Sequence, residues 1–380
     1  MIEIKEVKTK RDVKKFAKYP MDLYKDCPYY VPSIYEDELT IFNPKKNFNL
    51  LYSEAKGFLC YKDGKLVGRI AGLINNVHNK TLERKHIRFS RFDCIDDLEV
   101  FKALLGAVEK FGKENGAEVI HGPWGFTDQD REGLLTDGFD LRSTYVTNYA
   151  YPYFYQNLEK LGFEDESKWS EMKFTVPDEP YERIERFAEK LKKKLNLVDI
   201  ADTMSVSQII KNYGDQFFET LNDSYGHLDG YIPVEGKARE TLLSSFAMIV
   251  NTRYVSMLVD KEGRMAGFAI VFPSICDAII KHRGKLFPFG FIDVLRAIKK
   301  PKELEMALIG VKKEYKNSGI NAIMISKIQK NVIADGIKHI ESNPMLETNL
   351  NIRQQWKFAE NEIIKKRQTY KKEIGSLIQY

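Results

Sequence analysis

The stretch whose residue types best suit chemistry runs from Glu303 to Asn349. Leu304 to Val311 is an apolar run of strand length that ends in the charged turn Lys312-Lys313-Glu314-Tyr315-Lys316-Asn317-Ser318-Gly319. Beyond it Ile320, Met324, Ile328 and Val332 recur every fourth residue, with Ile323 and Ile333 beside them. That spacing predicts a helix of about four to five turns with one apolar face. Gly336 ends it, since a glycine just past the last periodic residue takes the left-handed conformation that closes a helix. A short strand then starts at His339-Ile340-Glu341. A turn at the head of a helix presents unpaired N–H groups and the positive end of the helix dipole, which suits an anion. One such contact contributes only about 0.3–1 kcal/mol when exposed, so several must converge on one phosphate. Gly319 would let the backbone approach it. The same residues also serve as a plain strand–turn–helix crossover whose glycine makes only the turn.

The elements that would position this stretch follow in chain order. Thr9 and Asp12 form a capping box that opens a helix through Val13, Phe16 and Ala17, interrupted at Pro20. Residues 57–71 read as a hairpin turning at Asp63-Gly64. A strand from His86 to Phe92 precedes an amphipathic helix through Leu98, Phe101, Leu105 and Val108 that stops at Gly116, and Val119-Ile120-His121 is the next strand. Tyr145, Tyr149, Tyr151, Tyr153 and Tyr155 could line a cleft or form a half-buried aromatic strand. After the strand Met172 to Val176, Pro177 and Pro180 mark a linker, and the lysine-rich helix from Tyr181 to Leu195 reads as a solvated face.

With 43% hydrophobic and 30% charged residues, the 380-residue chain has globular composition and length for two cores. A net charge of +5 from 59 basic and 54 acidic residues is too small a surplus to argue for nucleic acid. No run approaches the ~20 apolar residues of a membrane span, and the amino terminus lacks a signal peptide's apolar core, so a cytoplasmic location is expected. Cys27, Cys60, Cys94 and Cys276 are far apart, and the six histidines show no ligand spacing, so neither a disulfide framework nor a metal is expected.

The second half repeats the first. Gly64 and Gly263, and Gly68 and Gly267, each lie 199 residues apart, and Asn148 and Asn349, each expected to open a helix, lie 201 apart. Two copies of one α/β unit are expected, over residues 1–177 and 178–380.

This order of elements resembles the GCN5-related N-acetyltransferase (GNAT) fold, present twice, which implies a twisted mixed sheet flanked by helices in each copy. It is similar to the tandem GNAT-like proteins of bacteria in Gly68-Arg69-Ile70-Ala71, Gly122-Pro123 and Gly138-Phe139-Asp140. The resemblance implies an acyltransferase that moves an acyl group from acetyl-coenzyme A or a longer acyl-coenzyme A to an amine of a small molecule or peptide. Its implied cofactor-binding residues are Ile309, Val311, Lys316, Asn317, Ser318, Gly319, Ile320, Asn321 and Asn349. The family's pyrophosphate loop, Gln/Arg-x-x-Gly-x-Gly/Ala, falls on Lys316, Gly319 and Asn321, so only the middle glycine is kept. Lysine lacks the two-point fork of arginine, and Asn321 is bulky where the ligand should approach. The family's tyrosine acid, seven residues after the motif asparagine, is Tyr155 in the first copy and Trp356 in the second. Glu305 and Glu341 are the candidate bases, with Tyr155, Tyr315 and Tyr370 as candidate acids. These departures keep open a non-catalytic tandem GNAT-fold protein that binds a ligand or a partner.

Overall fold

The computed structural model describes residues 1–127, 130–227, 231, 233, 236–349, 356, 359–375 and 377. The first half comprises β1 (Ile2–Glu6), α1 (Lys10–Leu23), α2 (Tyr35–Glu38), β2 (Ser53–Lys62), β3 (Lys65–Asn75), α3 (Asn76–Asn79), β4 (His86–Cys94), α4 (Leu98–Glu114), β5 (Val119–Gly122), β6 (Leu134–Asp137), α5 (Tyr153–Lys160) and β7 (Glu164–Thr175). The second comprises α6 (Glu182–Lys194), β8 (Val198–Asp199), α7 (Val206–Tyr225), α8 (Lys237–Ile249), β9 (Val255–Val259), β10 (Met265–Pro273), α9 (Cys276–Lys281), α10 (Gly290–Lys299), β11 (Leu304–Val311), α11 (Asn321–Ala334), β12 (His339–Ser342), β13 (Met345–Leu346) and β14 (Asn361–Glu373).

All the described strands form one sheet in the order β1-β2-β3-β4-β5-β14-β7-β12-β11-β10-β9-β8, with β6 on β14 and β13 on β7. Its two wings match. β4 and β5 are parallel in one and β11 and β12 in the other, each pair joined by a helix, α4 or α11, that packs on a core of its own. The last strands are exchanged. β14 closes the first wing against β5, with Tyr370 opposite Gly122, and β7 closes the second against β12, with Phe174 opposite Ile340. β7 and β14 then pair with each other at the centre. The final strand of each repeat therefore lies across the expected 177/178 boundary from the rest of its repeat.

Local chemistry explains the elements. Asp63 and Gly64 both have positive φ, 50° and 76°, as a tight hairpin turn between β2 and β3 requires. The capping box at Thr9 is formed, with Asp12 and Thr9 bonding each other's backbone. Pro20, expected to interrupt α1, lies inside it. Proline leaves the carbonyl four residues back without its helical donor, and here the Arg69 guanidinium donates to that carbonyl, of Phe16, at 2.9 Å. Arg69 also pairs with Asp93 at 2.8 Å and Glu38 at 2.9 Å, so the arginine of the Gly-Arg-Ile-Ala hairpin ties α1, α2 and β4 together. Burial opposes ionisation of Glu38, yet Arg91 and Arg69 hold its carboxyl down to about 2.

Two further expectations change. The helix expected to open at Asn148 starts at Tyr153, because Pro152 biases the preceding residue away from helical backbone. Tyr149 packs with Tyr24 and Leu135 in a small core, with Tyr29, Tyr30 and Tyr151 against it, and forms neither cleft nor strand. The helix expected at Asn349 falls on 350–355, outside the described residues.

The exchanged strands are locked by buried charge. Glu171 on β7 meets Arg367 and, at 3.3 Å, Lys365 on β14, and all three side chains are at most 1% exposed. Burial works against the Glu171 carboxylate, but the two cations outweigh it and hold its pKa below the ordinary value. Glu171→Gln would leave the buried Arg367 without its carboxylate and Lys365 with Glu341 alone, and should cost roughly 3–5 kcal/mol, read as a lower denaturant midpoint. Because the folded pKa is depressed, the stability Glu171 contributes is complete above its unfolded value of about 4.3. It is lost as pH falls through the folded value, and wild type and Glu171→Gln should converge there.

Candidate functional site

β11 and β12 pair only over Leu304–Met306 and Ile340–Ser342. β12 then ends, the chain turns at Asn343-Pro344, and β13 joins β7, while β11 runs on to Val311. The parallel strands therefore part, and a cavity of about 310 Å³ opens between them. Its walls are mainly apolar and come from both halves: Phe174 of β7, Ile270 and Phe272 of β10, Leu308 of β11, and Ile328 and Val332 of α11. Volume and lining are those of a small-molecule site. Trp356, which stands where the family places its tyrosine acid, lines the cavity and meets the Phe174 ring edge-on at 5.1 Å.

Of the residues expected to bind a cofactor, Ile309 and Asn349 line this cavity. The edge of β11 facing the gap is capped by the end of α7. The Ile309 N–H donates to the Tyr225 hydroxyl at 3.2 Å, which donates back to the Ile309 carbonyl at 3.2 Å. The Val311 N–H donates to Ser224 Oγ at 2.9 Å, and that hydroxyl donates to the Val311 carbonyl at 3.1 Å. Two side chains thus make the ladder contacts that an extended amide ligand would make. Ser224 and Tyr225 carried no sequence signal, since they sit near the end of an ordinary amphipathic helix.

The expected turn between β11 and α11 is formed. Asn317 and Gly319 have φ of 61° and 86°, and α11 begins at Asn321 with Ile320 buried beneath it. Ser318 bonds back to the Tyr315 carbonyl at 2.6 Å. A Cβ on Gly319 would lie 3.1 Å from the Phe187 ring of α6, so in this structure it is α6 that approaches the glycine closely. Among the described residues Lys316 makes no ion pair, whereas Lys312 is held by Glu219 at 3.1 Å and Asp223 at 3.6 Å.

The two candidate bases come together in a different place. Glu305 and Glu341 are register partners on β11 and β12, and both line a separate pocket of about 100 Å³ with Arg142, Lys173, Glu303 and His339. Glu305 accepts hydrogen bonds from Ser274 Oγ at 2.7 Å, Cys276 Sγ at 3.2 Å and the Tyr145 N–H at 3.1 Å. Burial pushes its carboxyl above the ordinary range despite these donors, and nearby Glu341 adds to the rise. Glu341 is paired with Lys365 at 2.9 Å. The carboxylates that line the larger cavity are Asp130 and Glu132, from the first half. Asp130 is engaged by Arg91 at 3.4 Å.

The candidate acids lie elsewhere. Tyr370 is fully buried in the first-wing core, where burial raises its phenol, and Tyr155 packs at the edge of the same core, its ring stacked on Phe139. Tyr315 faces Asp260 at 3.5 Å. In the first wing, the pair in register one step past the core residues Ile87 and Ile120 is Arg88 and His121, the counterpart of Glu305 and Glu341. His86, His121 and Glu166 meet there, one donor atom of each within 4.8 Å of the others. They come from three strands, so no short spacing could announce them. Glu166 already accepts from Trp124 and Thr369, each at 3.0 Å, as well as from His121 at 3.1 Å.

No protein-family model matches the chain. Protein YghO of Escherichia coli K12 is 26% identical over 382 residues, spanning 96% of this chain and 94% of its own. A bacterial ceramide synthase from Caulobacter vibrioides is 25% identical over 315 residues, spanning 82% and 81%. Among solved structures, a tandem GNAT protein from the clavulanic acid biosynthesis pathway matches with TM-score 0.55 at 12% identity, over 98% of this chain and 99% of that one. A GCN5-related N-acetyltransferase from Sphaerobacter thermophilus matches with TM-score 0.51 at 9% identity, over 98% and 96%. The chain has the GNAT fold in tandem, as its motifs imply.

Because the folded pKa of Glu305 is raised, its protonation stabilises the fold at low pH, and that stability is lost as pH rises through the folded value. Glu305→Gln should flatten this decline on the alkaline side of the ordinary carboxylate range, read from denaturant midpoints across pH; a slope as steep as wild type would show that Glu305 does not titrate there.

Proposed function

We propose that the protein is an acyl-coenzyme A N-acyltransferase in which the second wing holds the cofactor and the first wing supplies one wall of the acceptor site. The observation that carries this reading is the apolar cavity opened where β11 and β12 part, with walls from both halves. A cavity lined mainly by aliphatic and aromatic side chains suits an acyl chain longer than acetyl, since each buried CH₂ contributes about 0.8 kcal/mol. The Caulobacter relative, named for forming a ceramide, is in keeping with a long-chain amide product. The turn from Lys316 to Asn321 is the proposed seat of the cofactor's phosphates. Its Lys316 charge and the helix head favour the ligand, whereas the Phe187 ring against Gly319 and the Asn321 side chain weaken it.

In this reading the amine nitrogen attacks the thioester carbonyl, the C–S bond breaks, and the thiolate leaves. The amine must first lose a proton. From a lysine-like pKa near 10.4 that costs about 4.6 kcal/mol at pH 7, so a base is required. Glu132 is the base we favour because it lines the cavity where the acyl group would lie, whereas Glu305 and Glu341 face the smaller pocket. The Tyr225 side chain lines the cavity, and its hydroxyl, once released from the β11 edge, is the acid we favour for the thiolate, a task the Trp356 indole cannot perform. Ser224 and Tyr225 must release the β11 edge before a pantetheine amide can pair with it. That same contact favours the second reading, a ligand-binding protein on a retired enzyme fold.

Calorimetry with a series of acyl-coenzyme A thioesters should show affinity rising with chain length into the micromolar range, near −8 kcal/mol. Ile328→Trp, which fills the cavity, should weaken long-chain binding at least tenfold. With an amine acceptor in hand, Glu132→Gln should lower turnover at least tenfold with thioester affinity unchanged. A loss confined to Glu305→Gln would move the base to the smaller pocket. Absence of binding at millimolar ligand would favour the non-catalytic reading.

A further inference from the structure

Helix α10 carries apolar side chains on two faces. Val294, Ala297 and Ile298 point inward and pack against Val31, Ile275 and Ile279. Phe291 and Leu295, one turn apart, point outward, and Phe287 and Phe289 on the approach to the helix join them. These outward side chains are 40%, 57%, 68% and 66% exposed respectively, and the Phe287 and Phe291 rings lie 5.9 Å apart. Four large apolar side chains exposed on and just before one short helix, two of them in ring contact, point to a docking surface.

The charge of this segment is one-sided along the sequence, while in space Arg283 is paired with Asp22 at 3.6 Å and Glu36 accepts from the Leu286 N–H at 3.3 Å. Residues 281–302 contain Lys281, Arg283, Lys285, Arg296, Lys299, Lys300 and Lys302 against Asp293 alone, a net of +6 where the entire chain carries +5. The other 358 residues therefore sum to −1. Asp293 is itself taken by Lys281 at 2.6 Å, His282 at 2.8 Å and Arg296 at 2.9 Å, which leaves the lysines at the end of α10 to set the local field.

We propose that this face docks the protein on an anionic phospholipid surface. Phe287, Phe289, Phe291 and Leu295 enter the boundary between headgroups and acyl chains, and Lys285, Lys299, Lys300 and Lys302 engage the lipid phosphates. An aromatic cluster flanked by lysines and arginines is the pattern of an interfacial helix, with apolar burial and charge acting together. No described helix is long and apolar enough to cross a membrane, so the contact is peripheral. The inward side of α10 is linked to the cavity wall through α8. Asn251, just past α8, donates to the Ile298 carbonyl of α10 at 3.1 Å, and Phe246 of α8 lines the cavity wall. The proposal stands on the surface itself and does not require the acyl-transfer reading.

The test is co-sedimentation of the full chain with vesicles of phosphatidylcholine alone and of phosphatidylcholine with phosphatidylglycerol. The wild type should bind the phosphatidylglycerol vesicles at least tenfold more tightly than the neutral ones, and less so as salt is raised. Phe287→Ser with Phe289→Ser should lower that affinity at least tenfold, and Lys299→Glu with Lys300→Glu should remove the preference for anionic vesicles. All four residues are exposed, so both variants should keep the wild-type unfolding midpoint, and their acyl-coenzyme A affinity should be unchanged. That separates failure here from failure of the cofactor site. A wild type that stays in the supernatant with both vesicles, or a phenylalanine variant that binds as well as wild type, would overturn the proposal. So would a wild-type dimer in sedimentation velocity that the phenylalanine variant loses without any vesicle binding, which would make the face an interface between copies.

Discussion

The reciprocal exchange of β7 and β14 is the constraint on which the rest of the molecule depends. Each wing has the strands of a GNAT unit, but each is closed by the other's last strand. The exchange also places Trp169 and Phe174, from the first half, in the wall of the cavity between β11 and β12. The cavity is thus a property of the tandem chain, which neither repeat builds alone. Glu171, Lys365 and Arg367 help fix the register of the exchange, because Glu171 and Arg367, neither of them exposed, must meet across it or leave charge unpaired in the core, and Lys365 bridges Glu171 to Glu341.

Much of the fold was legible because it rests on local rules. The hairpin at Asp63-Gly64, the capping box at Thr9, the helices closed near Gly116 and Gly336 and the repeat itself all follow from periodicity and turn chemistry. Pro20 misled because its cost is met from far away, by Arg69 on β3. β7 was recognised only over its last residues. Its first half, from Glu164, is charged and alternates weakly, and it is held in the sheet by pairing with β14.

The site was legible in outline and not in assembly. The β11–turn–α11 unit stands as its spacing implies, with Gly319 at positive φ. Which carboxylate shares a space with it depends on which face of a strand each residue takes and on a loop from the other half. Glu305 and Glu341, close to the motif in sequence, face the smaller pocket, whereas Glu132, more than 170 residues away, lines the cavity. Tyr225 likewise reaches β11 from the end of α7, a helix whose own pattern speaks only of packing.

The exchange also bears on how the chain reaches its native state. Glu171 and Arg367 are separated by 196 positions, and the edge of β5 waits for a strand centred near Tyr370. At synthesis rates of about 5–20 residues per second, roughly 250 residues take on the order of 10–50 s to emerge. For that interval the first wing holds an unpaired strand edge, the kind of surface that templates association with other chains. Contacts this distant in sequence slow folding. The first repeat therefore cannot complete its wing of the sheet from its own strands, and β14, the last of the described strands to be made, closes the wing begun first.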